Sequence, residues 1–310
     1  LGTTGIISVI SGRIFNFAKH KLKKIILYKM QNKLCLITGA TSGIGKATAI
    51  ELARLGFDLI ITGRNEFKGK VISDSLIKKN KIKSEFIKCD ISSLKDVRNL
   101  ADIIRSKYDH LDVLINNAGS RFNDYQKSID GIELTFATNH LGHFLLTYLL
   151  SDLLKKSGDA RIINVSSSAH YGKQIDIDDL VNPKNYNRSL VYGRSKLANV
   201  LFTYEFSRRN NYPDISINAL DPGGVATNFA RNDGFVSWLK HLSYYIIKRQ
   251  LLTPKQGAET VIYLASSSDV KGVTGKFFYK KKEIKSSVES YDEEIAKKLW
   301  VLSEKLCSIT

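Results

Sequence analysis

Leu34-Cys35-Leu36-Ile37-Thr38-Gly39-Ala40-Thr41-Ser42-Gly43-Ile44-Gly45 decides how this chain reads. Its first five residues form an apolar run of strand length. Three glycines follow, and helical periodicity runs from Lys46 to Leu55, where Gly56 ends it. A buried strand, a tight turn and a helix start, in that order, make a phosphate cradle. Glycines let the backbone approach a diphosphate, and the free amides of the helix start bind its charge. The spacing Gly-x-x-x-Gly-x-Gly departs from the dinucleotide fingerprint G-x-G-x-x-G. It is not a P-loop either, because Gly45-Lys46 is followed by Ala47 rather than Ser or Thr. Any tight strand-to-helix turn can use glycines, so the weight rests on the placement behind a buried strand.

Outward from this turn the pattern alternates. Leu59 to Thr62 reads as a second strand and Phe86 to Lys88 as a weaker third. Val97 to Lys107 reads as a helix. Val113 to Ile115 reads as a strand that ends in Asn116-Asn117-Ala118-Gly119. Leu134 to Leu154 reads as one long helix and Arg161 to Val165 as a strand. Val191 to Arg208 is a helix, Ser216 to Leu220 a strand, Pro254 to Ser266 a helix and Lys276 to Phe278 a last strand. The strands are apolar throughout rather than on one face. That calls for a parallel sheet covered on both sides. The expected fold is α/β: a doubly wound parallel sheet of Rossmann type in a single domain, with the site at the carboxyl ends of the strands.

Composition fits one such domain. The chain has 310 residues, 43% hydrophobic and 25% charged, with four prolines and no Gly/Ser linker. Cys35, Cys89 and Cys307 are far apart and odd in number, so neither a disulfide framework nor a metal site is expected, and a reducing, cytoplasmic setting is. The net charge of +17 suits nucleic acid or an anionic membrane, but the lysines are dispersed, and no nucleic-acid partner is expected. Residues 1–30 stand apart. They carry Arg13, Lys19, Lys21, Lys23, Lys24 and Lys29 among apolar residues, with no Asp or Glu. The segment is too broken to span a bilayer. It fits a basic amphipathic helix in peripheral contact with a membrane surface, and equally a helix packed on the protein or a partner.

Two stretches point to chemistry. Tyr192 and Lys196 are four apart in a helix and share a face. A phenol has a reference pKa of about 10. A nearby ammonium favours phenolate, and such a tyrosine gives a proton to an alkoxide or takes one from an alcohol. Alone, the pair is a common coincidence. Val165-Ser166-Ser167-Ser168 changes its weight, because it ends a central strand at the functional edge and offers a hydroxyl to a substrate carbonyl. His170 and Tyr171 need no role beyond lid packing or contact with the cofactor's edge. A Ser-His-acid hydrolase lacks its G-x-S-x-G turn.

At the other end, strand two closes in Thr62-Gly63-Arg64 where an NAD site commonly places an acid. Arg64 can make a forked pair with a 2′-phosphate, and Lys46 adds charge, so both suggest NADP. The plainer reading is two surface cations among 47. Asp90, just past the third strand, either caps a local turn or holds the adenine.

Thr38 to Gly45, Asn116 to Gly119, Ser167, Tyr192-x-x-x-Lys196 and Pro222-Gly223 occur in the order seen in the short-chain dehydrogenase/reductase family, which the chain resembles over residues 31 to 300. The resemblance implies that Tyr192 is the general acid/base. Lys196 lowers its pKa and binds the nicotinamide ribose. Ser167 positions the carbonyl, and Asn139 helps hold the water of a proton relay. It implies cofactor contacts at Gly39, Ser42, Gly43, Ile44, Gly45, Lys46, Arg64, Asp90, Asn116, Ala118, Gly119, Tyr192, Lys196, Pro222, Gly223 and Thr227.

Within the family, Thr138 to Phe144, Asn164 to His170, Tyr192 to Asn199 and the tail Ser290 to Glu294 through Leu299-Trp300 resemble the retinol dehydrogenase branch. This implies NADP and an apolar alcohol or aldehyde. Branch members with a membrane anchor carry an apolar N-terminal segment, whereas this one is basic and broken. Gly224 stands where a bulkier residue is usual. Family members are often dimers or tetramers, so a homodimer is among the assemblies to expect. Asn228 to Leu252, with Phe229, Phe235, Trp238 and Tyr244, reads as an apolar substrate lid, or as packing or membrane contact. The expected function is therefore NADP-linked interconversion of a lipophilic alcohol and its carbonyl by hydride transfer. The alternative is a non-catalytic nucleotide-binding sensor or scaffold. The set Asn139, Ser167, Tyr192 and Lys196 argues against it, because a binder has no chemical need of them.

Overall fold

A computed structural model describes residues 32–225 and 251–309. The basic segment 1–30, Thr227 and nearly all of the expected lid lie outside the described residues. Eight strands form one sheet: β1 (Leu34–Ile37), β2 (Asp58–Gly63), β3 (Ser84–Lys88), β4 (Val113–Asn116), β5 (Ala160–Val165), β6 (Ile215–Asp221), β7 (Lys276–Tyr279) and β8 (Lys282–Ile284). Their spatial order is β3-β2-β1-β4-β5-β6-β7-β8. All neighbours are parallel except the β7–β8 pair. The chain winds outward from β1 to β3, then returns to place β4 on the other side of β1. The switch point of this doubly wound sheet is thus the crevice between β1 and β4, where such folds bind ligands.

The register explains why the strands read as apolar runs. Leu36, Ile60, Leu114, Ile162 and Ile217 lie side by side across one face. They pack against α3 (Leu94–Lys107), α4 (Gly142–Leu149), α5 (Arg188–Arg209) and α7 (Glu293–Leu306). Ile61, Ile37, Ile115 and Ile163 make the opposite row. They meet α1 (Gly43–Arg54), α2 (Glu66–Asn80) and α6 (Pro254–Ser266). Both faces are covered, so residues of both parities are apolar. Each such fully buried side chain contributes roughly 1.5–3 kcal/mol relative to exposure.

The expected long helix from Leu134 to Leu154 is corrected to a broken one. A first turn at Leu134–Phe136 leads into a π turn at Ala137–Leu141, α4 follows, and Leu150 separates it from a short helix at Ser151–Lys155. A Cβ at Gly142 would run into the Ile91 carbonyl oxygen, so the helix meets that loop at close quarters. The helix α2 carries no reading above, although the β2-to-β3 crossover requires one. Asn65 caps its start by accepting from the Lys68 amide, and Lys81 ends it in a left-handed conformation with φ 57°. The edge strand β8 is exposed throughout, and a Lys276–Glu283 ion pair at 3.0 Å spans the β7–β8 pair. Among the described residues, no helix is long and apolar enough to cross a membrane.

Candidate active site

The glycine turn lies where β1 enters the switch-point crevice. Gly39 has φ +67°, and a Cβ there would stand 2.9 Å from the Ala118 Cα. A Cβ on Gly45 would stand 2.5 Å from the Gly39 carbonyl oxygen and from Asn117 Nδ2. Only glycine lets these two backbone segments touch. Asn117, which the sequence reading left without a role, binds the turn through Nδ2 to the Thr38 carbonyl oxygen at 2.8 Å. Ser42 precedes α1 without a side-chain capping bond, so its side chain leaves the first amides of α1 uncapped. The residues therefore fit an anionic diphosphate. Lys46 on the first turn of α1 and Arg64, just beyond β2, are both exposed.

The remaining expected cofactor residues divide. Ala118 follows β4, with its amide bonded to Thr38 Oγ1 at 2.9 Å. Gly119 faces two of the expected catalytic residues: a Cβ there would stand 3.2 Å from Asn139 Oδ1 and 3.4 Å from Lys196 Nζ. Gly223 turns at φ +81°, held by its amide donating to Asp221 Oδ1 at 2.9 Å. Ile44 lies beside Gly257 at the start of α6. Asp90 caps its own turn, accepting from the Ser92 amide at 3.1 Å and hydroxyl at 2.8 Å through Oδ1. Asn116 is 1% exposed and its side chain points into the layer under the sheet. Its Nδ2 donates to Asn164 Oδ1 at 2.8 Å and Thr147 Oγ1 at 3.1 Å. Only its backbone is left to line the crevice.

The four expected catalytic residues come together at the carboxyl edge. Tyr192 and Lys196 stand on α5 beside the end of β5. The Ser167 side chain bears on the Tyr192 phenol, holding its pKa down against burial. Lys196 Nζ donates to the Val165 carbonyl oxygen at 3.0 Å and lies 5.7 Å from the Tyr192 ring centre. Asn139 sits in the π turn with its amide fully engaged. Its Oδ1 accepts from the Ser120 amide at 2.7 Å, and its Nδ2 donates to the Ser120 carbonyl and to Ser195 Oγ, both at 2.9 Å. Ser195 in turn donates to the Tyr192 carbonyl oxygen at 2.7 Å. That residue, adjacent to Lys196, also escaped the sequence reading.

Electrostatics differ from the expectation that Lys196 lowers the Tyr192 pKa. Burial pushes the phenol up to about 12, opposed by the Ser167 hydrogen bond and the charge of Arg121. Burial pulls Lys196 down to about 8, with Asp221 acting against it. Asp221 is the β6 residue before Pro222 and another group the motifs did not flag. His170 does more than pack. Its Nδ1 bonds the Ser167 carbonyl oxygen at 2.6 Å, and its Nε2 accepts from the Ser287 amide at 3.1 Å. Ser167 is thereby fastened to the segment before α7.

Residues 33–234 match the family model described as short chain dehydrogenase. The chain belongs to the short-chain dehydrogenase family. Among its curated relatives, human retinol dehydrogenase 14 is 40% identical over 294 residues, 90% of this chain and 88% of that protein. Human polyprenol dehydrogenase is 39% identical over 288 residues, 90% of this chain and 85% of the relative. A crystal structure of an uncharacterised protein from Mycobacterium Paratuberculosis aligns with a TM-score of 0.72 and 32% identity, covering 91% of this chain and 97% of the other. As a short-chain dehydrogenase with retinol dehydrogenase homologues, the protein is an oxidoreductase of the alcohol–carbonyl class, and its family uses nicotinamide cofactors.

Proposed function

We propose that this short-chain dehydrogenase interconverts a lipophilic alcohol and its aldehyde or ketone with NADP(H). The observation that carries the reading is Lys196 and Asn139 meeting at Gly119, with the Lys196 Nζ bound to the end of β5 and 5.7 Å from the Tyr192 ring centre. When bound, the nicotinamide supplies or accepts the hydride. The protein's part is to hold the substrate and manage one proton. Ser167 donates a hydrogen bond to the substrate oxygen and fixes its direction. Tyr192 gives its proton to that oxygen as negative charge develops there, and takes it back in oxidation. A phenol held up near 12 stays protonated at neutral pH, yet an alkoxide is far more basic and can still claim the proton. Lys196 brings positive charge into the same pocket, its Nζ 5.7 Å from the Tyr192 ring centre.

Arg64 supports NADP over NAD. It stands exposed at the end of β2, at the position where an acid would hold ribose hydroxyls, and its guanidinium suits a phosphate. The apolar composition of residues 228–252 supports a lipophilic substrate, as do relatives named for retinol and polyprenol. The test is a panel of aldehydes and ketones of graded chain length, assayed separately with NADPH and NADH. Preference for NADPH, rising kcat/KM with chain length, and a loss of roughly 10- to 100-fold in NADPH affinity in Arg64→Ala are expected, since bonds to a charged group contribute about 1.5–3 kcal/mol. Preference for NADH, or best activity on small polar carbonyls, removes the respective half of the proposal.

A further inference from the structure

His143 is buried in α4, one turn beyond Asn139, and is 2% exposed. Its Nδ1 lies 3.1 Å from the Asn139 main-chain oxygen, and its Nε2 lies 2.9 Å from Thr38 Oγ1. A carbonyl oxygen only accepts, so Nδ1 carries the ring proton. Thr38 Oγ1 already accepts from the amides of Asn117 and Ala118, each at 2.9 Å, which occupies both of its lone pairs. Its own proton has two acceptors within reach: Nε2 at 2.9 Å and the Ile115 carbonyl oxygen at 3.3 Å. The nearer is the ring. The imidazole is therefore neutral, donating at one end and accepting at the other. Burial, with the charge of Lys196 nearby, pushes its pKa down to about 3, which agrees with this state.

The location gives the bridge its meaning. A π turn shifts the helical ladder by one residue, which takes a carbonyl out of its usual amide pairing. Asn139 occupies that turn, with its side chain pinned by Ser120 and Ser195. Its main-chain carbonyl is held in turn, because His143 Nδ1 fixes one of the two lone pairs. Thr38 is the last residue before the Gly39 turn. We propose, on the reading of the site given above, that His143 is a positioning residue: a neutral, Nδ1-protonated bridge that locks the Asn139 turn to Thr38, so that the cofactor turn and the proton-handling face form one rigid unit. With both nitrogens bonded to buried groups, the ring holds geometry and does not shuttle protons.

The first test needs no variant. Nitrogen-15 histidine spectra of the whole protein should show a ring with Nδ1–H and bare Nε2, beside the like-bonded ring of His170, that stays unchanged between about pH 5 and 9, far from the free value of about 6.5. Loss of that signal in His143→Leu assigns it. The proposal is overturned if the ring lost in His143→Leu is protonated at Nε2, or titrates near neutrality. The second test is kinetic. His143→Leu and Thr38→Val should each lower kcat roughly tenfold or more with substrate KM within about threefold, while Thr38→Ser retains the wild-type rate. The double variant should fall no further than the worse single one, because both break one network. Unchanged kcat in folded His143→Leu, or multiplying losses, contradicts the bridge. Tyr192→Phe keeps the two readings apart: it should abolish turnover and leave the His143 spectrum untouched. Retained turnover there refutes the functional reading alone.

Discussion

Lys196 is held between opposed influences. Burial pulls its pKa down to about 8, and the Asp221 carboxylate acts upward. Its charge is complete well below that value and is lost as pH rises through it. Tyr192, pushed up to about 12, remains the protonated partner over the same range. The rate of carbonyl reduction should therefore fall as pH rises through about 8. Whatever activity Lys196→Arg retains should lack that limb, since a guanidinium stays charged. A pH profile of kcat in both proteins checks this, and an identical limb in the arginine variant would count against the assignment. At this scale the sequence pointed to the candidate reacting groups but not to their supports. Alternation along β4 sends the Asn116 side chain under the sheet and leaves Asn117 to brace the turn. Neither outcome can be told from two adjacent asparagines without knowing the parity of the strand.

Among the elements, the β1–turn–α1 unit was legible because three constraints coincide in one short stretch: a buried run, glycines at the contact points and a helix start. Gly45→Ala tests it. The new methyl would stand 2.5 Å from the Gly39 carbonyl oxygen, so the turn must open. NADPH binding should weaken by roughly tenfold or more, while overpacking costs about 1–3 kcal/mol of stability. Titration of cofactor fluorescence, with a urea midpoint alongside, separates the two effects; unchanged affinity would mean that the cradle tolerates the methyl. The π turn was not legible, since a one-residue slip leaves the apolar periodicity of Leu134 to Leu154 almost intact. The edge strand β8 escaped because all three of its residues are exposed, and α2 because Gly69 and Ser73 occupy buried positions on its inner face. Nothing in such residue types announces an element; the crossover rule of the sheet does.

Over the whole molecule, buried neutral histidines tie function to stability. Burial lowers the pKa of His140 to about 4 and of His143 to about 3, from 6.5. The unfolded chain binds protons at these rings below about pH 6.5, while the folded chain does not. Their stabilisation is thus complete above that pH and is lost as pH falls towards the folded values, by about 1.4 kcal/mol per ring per pH unit. Urea midpoints at pH 7 and pH 5 should show the decline. His140→Gln should lessen its slope, and a slope unchanged by that substitution would place the acid sensitivity elsewhere. The doubly wound plan itself was readable at this scale, because strands buried on both faces leave no polar alternation.

The most direct test of the central claim is turnover of NADPH with a lipophilic aldehyde by wild type and Tyr192→Phe, with NADPH affinity measured in parallel. The account predicts that the variant binds NADPH within about twofold of wild type and loses roughly 100-fold or more in kcat, the usual contribution of a positioned acid–base group. A folded variant that binds NADPH and turns over at the wild-type rate would contradict it.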